Sequence, residues 1–546
     1  MSTIDWIVLI TTLGSIIIYG MYKSRSTKNL DGYFLSNRSL PKYLVLLSIM
    51  GTQASAITFL TGPGQAYTDG MRFVQYYFGL PLAMIVICIF FVPVFSKLKV
   101  YTAYEFLESR FDLKTRIFTS GLFLLSRGLS TGISIFAPSL VLSSLLGWNI
   151  YYTNLVMGGL LIIYTLSGGA KAVAYTQKLQ MIIVLIVLVL VGYLAVKLLP
   201  GQMGFAAALK TGGLNGKMNI ITTGFTEQGF DWKDKYNIWT GVIGGFFLSL
   251  SYFGADHSQV GRYLTALNST ESKKSLLMNG LVKIPMQFFI LLLGILIFSF
   301  YQFKKAPVYF DAVTYAEAMH TAKKDSLQTI EAAYEKNYAT GNLKEVSASR
   351  KAFGTMMERA LPDKKPKDTN YIFLYFVKEN LPVGLIGLVI AIIFLAAWGS
   401  IAAALNSLAA CTVIDFHKKY FIKNQTEKHD FKLSRLYTLA WGIFSIFIAM
   451  FAYNIGNSLI EAVNIIGSLF YGVILGVFLV AFWIKKINGN AVFYAAIIAE
   501  LLVIFIFWMD IISFLWLNVI GVLFVLILSL ILQMILPNKI KESHEY

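Results

Sequence analysis

The sequence predicts an all-α polytopic membrane protein: about thirteen transmembrane helices, a five-plus-five inverted repeat and two broken helices. Three observations lead there. First, the 546 residues are 56% hydrophobic with a mean hydropathy of +0.65, whereas soluble domains average about 45–50% apolar residues. Second, charge-free runs recur at 7–22, 80–95, 181–196 and 521–536, and with their flanks each reaches the ~17–25 residues that cross a bilayer. Third, two apolar stretches are interrupted. One holds Gly51-Thr52-Gln53-Ala54-Ser55-Ala56-Ile57-Thr58 and runs on to Gly62-Pro63-Gly64. The other holds Tyr252-Phe253-Gly254-Ala255-Asp256-His257. A helix broken in hydrocarbon frees backbone groups, which is tolerated only where they are buried in protein or line a polar cavity.

In chain order the spans fall near 4–22, 43–68, 73–97, 115–146, 149–168, 176–199, 237–262, 275–303, 376–414, 434–454, 459–484, 489–509 and 512–536. The ninth window is longer than a span needs, so part of it extends beyond the membrane. The first lacks a basic leader and a small-residue cleavage site, and reads as a retained helix rather than a signal peptide. Spans two to six lie over spans seven to eleven as two sets of five. Each set opens with a broken helix, and the odd number inverts the second set relative to the first. The segments are then 1–42, first helix and basic inner loop; 43–200, first repeat; 201–236, outer loop; 237–484, second repeat with an outer helical insertion at 302–370; 485–536, two peripheral helices; and 537–546, a tail.

A formal net charge of +17 invites a nucleic-acid reading, but the placement of the charges argues against it. Lys23, Arg25, Lys28, Arg38 and Lys42 follow the first span; Lys97, Lys99, Arg110, Lys114 and Arg116 follow the third; Lys273 and Lys274 follow the seventh. His417, Lys418, Lys419, Lys423, Lys428, Lys432 and Arg435 follow the ninth, Lys485 and Lys486 the eleventh, and Lys539 and Lys541 the last. These are alternate loops, so the positive-inside rule puts them in the cytoplasm, with the N-terminus outside and the C-terminus inside. Cys88 and Cys411 both sit in apolar spans without metal or disulfide spacing. Within the insertion, 326–337 and 343–361 read as solvated helices joined by a Thr340-Gly341-Asn342 turn.

In the ninth span, Ala396, Ala397, Gly399, Ser400, Ala402 and Ala403 are small enough to let a neighbouring backbone approach closely. Ser400 places a hydroxyl one turn after Ala396. A hard monovalent cation takes oxygen ligands, roughly five by analogy with other hard ions. The carbonyls of Ala54, Ile57 and Ala396 with the Ser400 hydroxyl form such a set. Asp256 and His257 at membrane depth have two readings: hydrogen bonding of Asp256 to a solute or gate, or proton coupling through the pair, on one side, and a buried Asp256 paired with Arg262, Lys178 or His257 on the other. Gln53, Gln75, Tyr76, Tyr77 and Tyr252 are candidates for a pocket in which rings face a solute's apolar side and amides its hydroxyls. For Gln75 and Tyr76, packing is an equal alternative.

Several stretches resemble the sodium/solute symporter family. They are the run 54–67 with its Pro63-Gly64…Ala66-Tyr67 ending; Ser167-Gly168-Gly169-Ala170-Lys171-Ala172-Val173-Ala174-Tyr175-Thr176-Gln177-Lys178-Leu179-Gln180; the run 252–262; Leu405-Asn406-Ser407 leading to Asp415; and 467–476. The resemblance covers about 1–536. It implies a leucine-transporter-like fold and a co-transported sodium ion on Ala54, Ile57, Ala396, Gly399 and Ser400, with no organic cofactor and no catalysis. It also implies a small-molecule solute and a lipid bilayer as partners, neither nucleic acid nor an obligate protein partner, and a cell-membrane location. The chain departs from the family pattern at Gly399, where a hydroxyl is usual, and at Gln177, where the family has Asp. With Ala402 and Ala403 one turn on, this implies no second sodium site and leaves the first short of one side-chain ligand, a gap for water or Thr58. His257 replaces a usual Gln. No Arg or Lys is evident in the expected pocket, which makes a sugar or polyol the first expectation, an amino acid or organic anion the second, and a proton-coupled or uncoupled carrier the third.

Overall fold

The computed structural model describes residues 1–24, 30–201, 203–364, 366–421, 427–452 and 458–536. Arg25, Lys28, Lys423, Lys539, Lys541 and the tail 537–546 lie outside the described residues, as does the side chain of Lys428. Ten described helices are long and apolar enough to cross a membrane, and two shorter apolar ones cover Ile150–Leu166 and Thr240–Gly254. One of the ten, Ala56–Leu98, joins the second half of the second span to the third. All thirteen expected stretches are therefore helical.

The helices used below are α1 (Thr3–Ser24), α2 (Lys42–Gln53), α3 (Ala56–Asp69), α4 (Leu80–Val86), α5 (Leu113–Leu146), α6 (Ile150–Leu166), α7 (Gly169–Lys197), α8 (Gly245–Gly254), α9 (His257–Tyr263), α10 (Ser269–Phe303), α11 (Lys324–Ala339), α12 (Leu343–Ala360), α13 (Ile372–Asn380), α14 (Leu385–Cys411), α15 (Glu427–Ala449), α16 (Leu459–Trp483), α17 (Gly489–Trp508) and α18 (Phe514–Ile535). The overlong ninth window resolves into α13 and the span α14. Between α6 and α7 the chain turns at Gly169, whose φ of 57° and ψ of −168° suit a residue without Cβ.

The second span breaks at Ala54 (φ −89°, ψ 79°) and Ser55 (φ −81°, ψ 175°), an extended step between α2 and α3. The seventh breaks at Ala255 and Asp256, and the Asp256 side chain caps α9 by accepting from Ser258 N at 2.7 Å. Asp and Ser both favour the position before a helix. The first break is narrower than the residue pattern suggests. Gly62, Pro63 and Gly64 lie inside α3, and here glycine serves packing. A Cβ on Gly64 would stand 2.0 Å from the Thr369 carbonyl oxygen, and one on Gly294 of α10 only 2.1 Å from Pro63 O.

α2 packs against α7, α9, α10 and α14, while α3 packs against α10, α13 and α14. At the end where the basic loops lie, the segments before α2 and after α9 are tied together. Leu40 N donates to Thr265 O (3.0 Å), Leu267 N to Leu40 O (3.2 Å) and Lys42 N to a Glu271 oxygen (3.0 Å). At the opposite end α11 and α12 form the expected hairpin, with Gly341 in the turn at φ 70°. It has its own small core of Leu327, Tyr334, Phe353 and Met357. Arg350 fastens it to α3: its guanidinium lies 5.4 Å from the Tyr67 ring centre and 4.5 Å from that of Phe310, and it donates to Asp368 at 2.9 Å.

Gly294→Val forces α3 and α10 apart and should cost about 1–3 kcal/mol, read as a lowered melting temperature in detergent. Gly14→Ala, inside α1 at a position with no described neighbour within 4 Å of the added carbon, should not lower the melting temperature and should favour the helix by up to about 1 kcal/mol.

Candidate functional site

The two breaks and the small-residue face of α14 meet. Thr52, Gln53 and Ser55 line one cavity together with Ser400, Ile401 and Ala404; it holds about 440 Å³ including its mouth. Around it the backbone is short of partners in the way a broken helix dictates. Thr58 N donates to Ser55 O (3.0 Å), so the Ala54 carbonyl is left without its helical donor. Ile57 O, inside the first turn of α3, accepts from Thr61 Oγ1 at 2.8 Å. The Ser400 hydroxyl has one hydrogen to share between Ala396 O (2.9 Å) and Ala397 O (3.0 Å), and its oxygen keeps acceptor lone pairs. Thr58 lines the larger cavity described next. These donors are all neutral oxygens. Among the described residues no group of three His, Cys, Asp or Glu gathers as a metal cluster. The set suits a weakly held hard monovalent cation better than a structural divalent one.

Gly399 contributes no side chain, and the space for one is filled. Gln180 Oε1 lies 2.5 Å from where its Cβ would stand, and Gly399 O accepts from Gln177 Nε2 at 3.1 Å.

A second cavity, about 720 Å³ with its mouth, adjoins the first. Gln53, Tyr76, Tyr77, Ser249, Tyr252, Asn464 and Tyr471 line it, and so does Arg127 of α5. The size falls in the ~300–1,000 Å³ range of small-molecule sites. Tyr76 OH donates to Asn464 Oδ1 (3.1 Å), joining the segment before α4 to α16. Gln53 Oε1 is buried without a partner among the described residues. Gln75 does not line this cavity. It is fully buried behind it, with its amide donating to Thr222 Oγ1 (3.1 Å) and Tyr236 O (3.0 Å), so it packs the loop rather than the pocket.

Asp256 is paired, with a partner the sequence reading did not name. Its Oδ2 takes Arg127 Nη2 and the Tyr471 hydroxyl (2.6 Å), while its Oδ1 caps α9. Arg127 Nη2 also reaches Tyr471 OH at 2.9 Å, and its guanidinium lies 5.3 Å from the Tyr252 ring centre. Tyr252 OH in turn accepts from Gln259 Nε2 at 2.7 Å. Arg262, Lys178 and His257, the expected partners, do not hold it, and both Asp256 oxygens are spent within the protein. Asp256 thus holds Arg127, whose Nε is buried without a partner among the described residues. An Arg does sit in the pocket, contrary to the expectation that none would. The signal was present in the sequence as a lone ionisable residue inside an apolar span.

The chain was compared with known proteins. A family model described as the sodium:solute symporter family matches residues 33–324 and 350–499. The unmatched stretch between them is most of α11 and the start of α12. The sodium/sialic acid symporter NanT of Aliivibrio fischeri is 26% identical over 498 residues, covering 90% of this chain and 85% of that protein. The sodium/glucose cotransporter of Vibrio parahaemolyticus is 25% identical over 504 residues, covering 90% and 83%. A solved substrate-bound, outward-open state of a Na+-coupled sialic acid symporter superposes with a TM-score of 0.78 at 24% identity, covering 98% of both chains. That likeness shows the fold.

Removing one member of the buried pair strands the other. Asp256→Leu should cost about 3–5 kcal/mol. Arg127→Leu combined with Asp256→Leu should cost less than the two single changes summed, by about 0.5–3 kcal/mol. Unfolding in detergent across the four-protein cycle measures both.

Proposed function

The chain belongs to the sodium:solute symporter family, so it is a sodium-coupled carrier of small solutes in a membrane and not an enzyme, and we propose that its solute is a hydroxylated organic anion of the carboxylated-sugar type, taken up across the cell membrane. Arg127 carries this reading. Its Nη2 is held by Asp256 and Tyr471, which fixes the guanidinium in the cavity wall and leaves Nε, buried without a partner among the described residues, as a single donor for one carboxylate oxygen. Gln53 and Asn464 supply amides for hydroxyls, and Tyr76 and Tyr252 supply ring faces. Relatives named for sialic acid fit this class. A neutral sugar is the second reading: Asp256 already balances the Arg127 charge, and a relative is named for glucose.

Sodium sits on Ala54, Ile57, Ala396 and Ser400, between the first break and α14. It binds the conformation in which those segments are apposed and so favours the state with the basic end sealed. Only that difference in affinity does work; equal affinity for both states would shift nothing. The solute then binds beside Gln53, bridging the two breaks. Opening of the basic end, taken as cytoplasmic, releases both.

In proteoliposomes, uptake should follow an imposed sodium gradient and not a proton gradient, with a Hill slope of about one for a single site. Ser400→Ala should lower sodium-stimulated uptake about tenfold or more, for loss of one ligand, with the reconstituted amount unchanged. Arg127→Gln should abolish uptake of sialic acid; if sialic acid uptake survives and glucose uptake fails, the neutral-sugar reading replaces the anionic one.

A further inference from the structure

Three helices converge just behind the sodium ligands, and one side chain occupies the point where they meet. Gln177 of α7 is fully buried. Its Oε1 accepts from Ser48 Oγ at 2.7 Å, and its Nε2 donates to Thr52 Oγ1 and to Gly399 O, each at 3.1 Å. Every hydrogen of that carboxamide is used, and the two bonds point to two different helices. Glycines make the approach possible on both sides. A Cβ on Gly51 would stand 3.0 Å from Gln177 Cβ, and one on Gly399 would stand 2.5 Å from Gln180 Oε1 and 3.1 Å from Gln177 Cγ.

We propose that Gln177 is a positioning residue of the sodium site: its carboxamide is a fixed strut that sets the gap between the broken second span and the face of α14 carrying Ala396 and Ser400. The argument is geometric. Thr52 precedes the break by two residues, and Gly399 precedes Ser400 by one. A bond from one amide nitrogen to both therefore fixes the two halves of the ligand set relative to each other. A cage of neutral carbonyl and hydroxyl oxygens has no strong charge to pull misplaced ligands inward, so its affinity depends on their separation being preset. The amide hydrogens also bring partial positive charge to the Gly399 carbonyl and the Thr52 hydroxyl. That oxygen-rich junction is thus satisfied by the protein and draws no cation of its own.

This inference rests on the sodium reading above, and the experiment separates the two. Sodium half-saturation is measured at saturating solute, and solute half-saturation at saturating sodium, for the full chain in proteoliposomes. Gln177→Leu removes the strut and should raise half-saturating sodium about tenfold or more, with solute half-saturation at saturating sodium staying within about twofold of wild type, since Gln177 touches no solute-facing group. Gln177→Glu keeps the size and the Ser48 bond but turns the donor edge into an oxygen facing two oxygens. It should raise half-saturating sodium or, by drawing a second cation into the junction, raise the Hill slope. Should Gln177→Leu not assemble, Ser48→Ala removes one bond alone and should shift half-saturating sodium in the same direction by a smaller factor. Wild-type uptake indifferent to sodium overturns the functional reading and this inference together. A sodium-responsive wild type matched by its Gln177 variants, or variants in which sodium and solute half-saturation rise in parallel, overturns this inference alone.

Discussion

A peptide group released from a helix at membrane depth has no water to turn to, and this constraint organises the molecule. Each break needs oxygen or nitrogen partners from elsewhere in the chain, and the protein meets the two needs differently. At Asp256 the solution is internal. A carboxylate caps the new helix start and binds an arginine and a tyrosine, so the second break is closed by its own chemistry. At Ala54 the solution is left open, because a carbonyl loses its donor beside a hydroxyl and further carbonyls and the shortfall suits a mobile cation. One break is thus a fixed joint and the other, on the reading proposed above, a joint that an ion completes.

The two joints share walls. Gln53, Ser55, Arg127 and Tyr252 border both cavities. On the proposed reading, a solute lodged against Arg127 and Gln53 would touch the segment that the cation would hold in place. Each ligand then stabilises the surface the other uses, which is what thermodynamic linkage between cation and solute requires. The guanidinium, fixed by Asp256 and Tyr471 and backed by the Tyr252 ring, costs little to organise at the moment of binding.

Much of the fold was legible because hydropathy and length leave few alternatives in a bilayer. The spans, both breaks and the polar hairpin with its Thr340-Gly341-Asn342 turn follow from local composition. What escaped was long-range. Asp256 and Arg127 are 129 residues apart in sequence, and reading outward from Asp256 meets His257 and Arg262 first. Gln75 stands beside Tyr76 in sequence, yet the 3-10 turn at Gly70–Tyr77 sends the two side chains to different places, one to the loop and one to the cavity. Gly62-Pro63-Gly64 looked like a continuation of the break. The motif signals conformational freedom and close approach alike, and only the backbones of Thr369 and Gly294 reveal which applies.

The α11–α12 hairpin offers a practical opening. A Cβ added at its tip, Gly341, would meet no described neighbour within 4 Å, its small core extends to Val308, Tyr309 and Ala318, and Arg350 ties its base to the end of α3 beyond the first break. An epitope or fluorophore grafted at that tip would ride on the broken helix as a pointer rides on a dial. A nanobody raised against the hairpin would bind away from both cavities, whose linings include no hairpin residue, and so would not compete for either proposed ligand.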